Sequence, residues 1–447
     1  MTMLHRIVLA IALVFAMAGP ATAAPVLLVS IDGLRPGDVL EAEKRGLNIP
    51  NLRRFVVEGS YATGVRGVLP TVTYPSHTTL ITGASPARHG IVGNTSFDPL
   101  QINQSGWFWY ASDIKVPTLW QAAKGAGLRV GNVHWPVSVG AGGIDWNLPQ
   151  IWRTGHADDA KLLTALATPG LIPQLEALTG QSYPLGINEE IDGDEGRARF
   201  AAAMLRSHKP QFMTVYFAAL DHQQHQDGPG AASAHAVLER IDTALGVVLA
   251  AAREVQPDTV IAVASDHGFL PVTHETNLFR AFVDADLIKL GPDGKVLSWE
   301  AMPWPTGGSV AVVLARPDDP VLKALVAGKL AALQCDPAAG IADIADAREI
   351  AAMGGNPQAS FFVDFKPGTS AGTFASQAQG LTGVPKSKGT HGWFPSVPEM
   401  RATFLIMGPG IPAGKSLGEI DQRAIAPTLA RIMGAKFTSA EVPALKF

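Results

Sequence analysis

Cysteine is nearly absent. Cys335 is the only one in 447 residues, so no intramolecular disulfide can form and no metal site can rest on thiolates. Any metal ligand must be His, Asp or Glu. Charge is also scarce: charged residues make up 17% of the chain, and the net charge is -4. That balance excludes a nucleic-acid scaffold held by many phosphate contacts, so any phosphate recognition must be local. Repeats and low-complexity tracts are missing, and a hydrophobic content of 47% argues against a disordered or fibrous chain. The apolar run from Ile7 to Met17 falls well short of the roughly 20 residues that span a bilayer. With His5 and Arg6 before it and Ala21-Thr22-Ala23 after it, this run reads as a secretory signal over residues 1–23. The expectation is an exported protein, periplasmic or secreted, with no membrane span once the signal is cleaved.

What is present is a repeated pattern of apolar strands ending in acids. Val26 to Ile31 runs into Asp32-Gly33, Phe212 to Leu220 into Asp221, and Val260 to Ala264 into Ser265-Asp266-His267-Gly268. A doubly wound, mainly parallel α/β sheet flanked by helices builds its site at such strand ends. Between the strands lie helical stretches such as Ala232 to Glu254, with Val237, Leu238, Ile241, Ala244, Leu245 and Val248 at helical spacing. Pro303, Pro305 and Gly307-Gly308 mark a break. Residues of about 300–375 then read as a small α/β insert: a strand from Ser309 to Ala315, a helix from Pro320 to Leu333, and a strand from Phe361 to Phe365. Residues 24–447 are thus expected to form one catalytic domain that includes this insert. The stretch from Gly140 to Gly196, with Trp146, Trp152 and Tyr183 among many Gly and Pro, reads as an irregular lid or wall.

Five segments carry chemistry: Asp32-Gly33, Thr71 to His77, Asp221 to His225, Asp266-His267-Gly268 and Thr390-His391-Gly392. Zinc favours imidazole and carboxylate ligands and, in catalytic sites, keeps a position open. One helical turn would place Asp221 and His225 on the same side, and Asp266 and His267 are adjacent where a strand ends. Thr73 alone would read as a cap or turn residue before Tyr-Pro. As a nucleophile it needs a metal to lower its hydroxyl pKa. His77 and His89 read as loop braces, and His222 as a residue outside any ligand set.

The run Pro70-Thr71-Val72-Thr73-Tyr74-Pro75-Ser76-His77, followed by Thr82-Gly83, Pro86 and His89 to Asn94, resembles the nucleotide pyrophosphatase/phosphodiesterase family of the alkaline phosphatase superfamily. The likeness continues through Trp135-Pro136, Tyr216 to Pro229, Asp266 to Gly268 and His391 to Gly410. It implies an alkaline phosphatase-like fold and two zinc ions per chain. Asp221, His225 and His391 would hold one ion; Asp32, Asp266, His267 and the Thr73 oxygen would hold the other. By the same resemblance, Thr73 would attack phosphorus and form a phosphothreonine. Asn94 and the Tyr74 N–H would bind a phosphoryl oxygen, and Tyr74 and Tyr216 would wall the pocket of a small-molecule phosphodiester, nucleotide-type substrates included.

The sequence departs from the family pattern at Ser76, where many members have Asn, and at Trp393-Phe394-Pro395 in place of Tyr-Asp-Asn. Alternatives of the same superfamily are a phosphate monoesterase and a phosphonate hydrolase. The monoesterase is disfavoured by Gly131-Asn132-Val133-His134-Trp135-Pro136, a segment without the extra cations a dianionic phosphate requires. A non-catalytic binding protein is disfavoured because the ligand set and Thr73 are complete.

Overall fold

The computed structural model describes residues 23–102, 106–151, 158–184, 189–373 and 380–447. The expected signal, apart from residue 23, and Trp152 lie outside these residues. No described helix is long and apolar enough to cross a membrane.

An eight-stranded sheet runs edge to edge as Lys415–Ser416, Ser60–Tyr61, Phe404–Met407, Val260–Ala264, Val26–Ile31, Phe212–Phe217, Val130–Val133 and Trp146–Leu148. Its five strands from Val260–Ala264 to Trp146–Leu148 are mutually parallel, while Phe404–Met407 is antiparallel. Alternation along the strand of residues 26–31 explains the two helical layers. Leu27, Val29 and Ile31 enter one apolar core with residues of helices Ile191–His208 and Ala232–Val255. Val26 and Leu28 enter the other, with Leu80 and Ile81 of helix Thr73–Thr82 and Leu429 of helix Ile425–Ile432. This is the doubly wound, mainly parallel α/β sheet that the apolar runs predict.

Register sets the site. Val26 pairs with both Phe212 and Val260, so the three central strands start level and end level. Asp32 follows directly on the end at Ile31, and Asp266 follows Ala264 after one residue, which leaves the two acids level. The third run is shorter than expected. Its strand stops at Phe217, and Asp221 sits in the first turn of helix Ala219–Asp227. A buried carboxylate holds that helix. Asp194 accepts the N–H groups of Ala218 and Ala219 at 3.1 and 2.8 Å, and Arg197 Nη1 donates to it at 2.6 Å.

The second unit is a four-stranded antiparallel sheet in the order Ala301–Pro305, Ser309–Leu314, Phe361–Phe365, Ile341–Asp346, packed with helix Pro320–Cys335. Its core also takes Leu278, Phe279 and Phe282 from helix Leu278–Asp284, which the reading from residue 300 left out. The irregular wall expected over Gly140 to Gly196 is about half helical among the described residues, with helices Asp159–Leu166 and Leu171–Thr179 and the start of Ile191–His208, and its Glu189 borders the site cavity. Two of its glycines are helix boundaries: Gly170 precedes one helix and Gly180 ends it in the left-handed conformation.

Asp194→Ala would leave Arg197 buried without its carboxylate and two N–H groups unpaired. We expect a loss of about 3–5 kcal/mol, read by equilibrium urea unfolding. A loss no larger than that of an exposed ion pair, below about 1 kcal/mol, would contradict the assigned role.

Candidate metal centre

Asp32 leaves the sheet with its N–H donating to the Phe217 carbonyl at 2.9 Å, which aims the carboxylate toward the end of the neighbouring strand. Tyr216 reaches the same point from below and donates its hydroxyl to Asp32 Oδ2. Asp266 accepts the Gly33 N–H on Oδ1 at 3.1 Å. Each carboxylate therefore keeps one oxygen turned inward. Asp32 Oδ1, Asp266 Oδ2 and Asp221 Oδ1 are all buried without a hydrogen-bond partner. Such orphaned acceptors are costly unless something cationic meets them.

Three histidines face these oxygens with matching geometry. His225 Nδ1 donates to the Gly389 carbonyl at 2.9 Å, His267 Nδ1 to that of Gly268 at 3.1 Å, and His391 Nδ1 to that of Thr71 at 3.0 Å. A carbonyl only accepts, so in each neutral ring Nε2 carries the lone pair. His267 Nε2 lies 3.0 Å from Asp266 Oδ2 and 3.4 Å from Asp32 Oδ1. His225 Nε2 lies 3.3 Å from Asp221 Oδ2, and His391 Nε2 lies 3.6 Å from Asp221 Oδ1. The rings of His267 and His391 stack with centroids 3.6 Å apart and planes 8° apart.

Two overlapping groups have ligating atoms within 4.8 Å of one another: Asp32, Asp266 and His267; and Asp221, His267 and His391. The first is the protein carboxylate-imidazole set expected for one ion. In the second, His267 stands where His225 was expected, while His225 stays beside Asp221 at the cavity wall. Hard oxygens and imidazole nitrogens at this density fit divalent cations of the zinc type.

Burial first, and then the Asp266 and Asp221 carboxylates, push Asp32 well above the usual carboxylate range. Asp221 is also pushed up by burial, but His225, His391 and His267 together outweigh that and hold it at about 2. Burial, with His267 next, lowers His391 to about 3, which keeps it neutral and its lone pair free.

The motif glycines follow from close packing. A Cβ at Gly268 would lie 1.9 Å from the Glu399 carbonyl oxygen. Gly392 has φ +96°, and a Cβ there would lie 1.6 Å from the Thr306 carbonyl oxygen.

Thr73 is the first residue of the buried helix Thr73–Thr82 and borders the cavity. The Tyr74 N–H donates to Asn94 Oδ1 at 2.9 Å, so that N–H is engaged and the Asn94 amide nitrogen is the group left to donate. His77 braces this helix as expected. It donates from Nδ1 to the Thr73 carbonyl and accepts from Ser30 Oγ at Nε2, both at 2.8 Å. His89 also braces, accepting the Ile91 N–H at 3.1 Å.

The two expected aromatic walls, Tyr74 and Tyr216, both border the cavity, and each ring is largely covered. Tyr216 is 1% exposed, with His77 edge-on and His134 stacked against its ring. Its hydroxyl also orients Asp32. Tyr74 is equally buried and covered by Trp107, at a centroid distance of 5.3 Å. Trp107 and Glu189 line the cavity and were not foreseen. Glu189 is raised to about 8, by burial and then by Asp221, and its Oε2 lies 3.6 Å from His222 Nδ1. No local pattern in the sequence marks either residue, since both arrive from segments far from the ligand motifs.

Comparison with known proteins gives a consistent result. Ectonucleotide pyrophosphatase/phosphodiesterase family member 3 of Rattus norvegicus is 25% identical over 254 residues, 55% of this chain and 25% of that protein. Member 1 of Homo sapiens is 27% identical over 255 residues, 55% and 23% of the two chains. The matched stretch thus spans about a quarter of these relatives' length. Among solved structures, murine ectonucleotide pyrophosphatase/phosphodiesterase 5, an inactive variant in complex with AMP, has a TM-score of 0.67 at 18% identity, covering 93% of this chain and 96% of that one. This likeness shows the fold. The family model described as type I phosphodiesterase / nucleotide pyrophosphatase matches residues 26–349, and the chain belongs to that family.

Proposed function

We propose that the chain is a zinc-dependent hydrolase of phosphodiester or pyrophosphate bonds that works through a phosphothreonine at Thr73. The observation that carries this reading is the set of three unpartnered carboxylate oxygens, of Asp32, Asp221 and Asp266, of which Asp32 and Asp221 border the same cavity as Thr73 and Asp266 groups with Asp32 and His267. Asp32, Asp266 and His267 would hold one cation together with the Thr73 oxygen. Asp221, His225 and His391 would hold the second, with His267 close to both. Two cations in these positions would supply Lewis acidity, lowering the Thr73 hydroxyl pKa and offsetting phosphoryl charge.

The protein's own groups do the rest. The Thr73 oxygen attacks phosphorus in line, a P–O bond forms, and the bond to the departing oxygen breaks. Asn94, held by the Tyr74 N–H, donates its amide to a phosphoryl oxygen as negative charge grows there. Water then attacks the phosphothreonine from the side the leaving group vacated, releasing the monoester and restoring the hydroxyl. Tyr216 fixes Asp32, and the Gly389, Gly268 and Thr71 carbonyls fix the imidazoles, as outer partners of metal ligands do. The AMP complex of the murine relative supports nucleotide-type substrates.

Thr73→Ala is expected to retain bound zinc by elemental analysis while turnover of bis(p-nitrophenyl) phosphate falls at least about 1,000-fold. Full activity in that variant would overturn the covalent route. Asn94→Ala should lower kcat by about 100- to 1,000-fold in steady-state assays, with little change in metal content. Tyr216→Phe frees one oxygen of Asp32 and should weaken zinc binding about 10- to 100-fold, measured by competition with a chromophoric chelator. Unchanged affinity would separate Tyr216 from the metal centre.

A further inference from the structure

The metal centre opens onto two cavities rather than one. The first, of about 210 Å³, is bordered by Thr73, Trp107 and Glu189. The second, of about 230 Å³, is bordered by Trp304, Thr306 and Gly307 of the insert and by Thr390. Both are bounded by Asn94, His225 and His391, so they meet where a phosphoryl group would lie. A cavity of about 150 Å³ holds benzene, so each has room for one ring-sized substituent.

No lysine or arginine borders either cavity among the described residues. Binding a second phosphate requires counter-charge, which proteins supply with Arg forks or Lys ammonium groups. Here the metal ligands are committed to the reacting phosphoryl group. The remaining polar lining is hydroxyl, amide, imidazole and the Glu189 carboxyl, and that carboxyl repels an extra phosphate when ionised. Each cavity has one tryptophan in its lining, Trp107 in the first and Trp304 in the second, suited to stack on a flat group.

We propose that the preferred substrate is a simple phosphodiester with two substituents that carry no further phosphate, one seated against Trp107 and the other against Trp304, and that pyrophosphate-linked compounds are disfavoured. In-line displacement places the leaving group opposite the attacking oxygen. The second cavity, which Thr73 does not border, is therefore the leaving-group site. This inference rests on the hydrolase reading above and narrows it.

The test compares bis(p-nitrophenyl) phosphate with the symmetric bis(p-nitrophenyl) pyrophosphate, which has the same aryl ends and one more phosphate. Products are followed chromatographically on the zinc-loaded enzyme. We expect kcat/KM to favour the simple diester at least 100-fold, although the P–O–P linkage is the more labile bond. Trp304→Ala should raise KM for the diester about 10-fold with kcat nearly retained, and Thr306→Lys, in the second cavity, should narrow the preference by giving the leaving phosphate a counter-charge. Equal or better turnover of the pyrophosphate overturns this inference alone. An unchanged KM in Trp304→Ala overturns the assignment of the second cavity. Failure to cleave either compound overturns the hydrolase reading and this one with it.

Discussion

The mutual repulsion of three buried carboxylates is the constraint on which the rest of this structure depends. Asp32, Asp221 and Asp266 share a space from which water is nearly excluded, and the inward oxygen of each lacks a hydrogen bond. Like charges at such range in a low dielectric cannot all remain ionised without cations among them. Burial first, and then the charges of Asp266 and Asp221, raise the affinity of Asp32 for a proton. The protein holds the acids in place through their outer oxygens, with Tyr216 on Asp32 and the Gly33 N–H on Asp266. The same logic governs the imidazoles, whose Nδ1 atoms are tied to carbonyls.

Much of this was legible in the chain itself, because apolar strands and their terminal acids are local features. Val26 to Ile31 before Asp32 and Val260 to Ala264 before Asp266 fold as strands with those bounds, and equal register then brings the acids level. The four-residue spacing of Asp221 and His225 became one helical turn. The shift of Asp221 from strand end to helix escaped notice because its helix is started by Asp194, a residue with no adjacency to it in the sequence. The bond from Tyr216 to Asp32 was hidden for a similar reason. Strand pairing sets Tyr216 opposite Ser30, two residues before Asp32, and its hydroxyl then meets that carboxylate. Trp107, Glu189 and Trp304 became visible only when three separate segments closed around the centre.

Of the departures from the family pattern, one lies in a segment tied closely to the site. Trp393 is fully buried, and its carbonyl accepts the Thr71 hydroxyl at 2.7 Å, which ties the segment after His391 to the segment before Thr73. Ser76 is buried within helix Thr73–Thr82, its hydroxyl without a partner, and the structure gives no account of that choice.

The seam between the insert and the main sheet has a further consequence. The Gly308 N–H donates to the His391 carbonyl at 2.7 Å, Ser309 Oγ donates to the Gly392 carbonyl, and the Phe394 N–H donates to Asp364 Oδ1 at 2.9 Å. The unit that contributes Trp304 is thereby bolted to the backbone beside His391, one of the proposed metal ligands. Retooling this protein by exchanging the insert would disturb His391 along with the pocket, so selectivity and the proposed metal site would have to be re-engineered together.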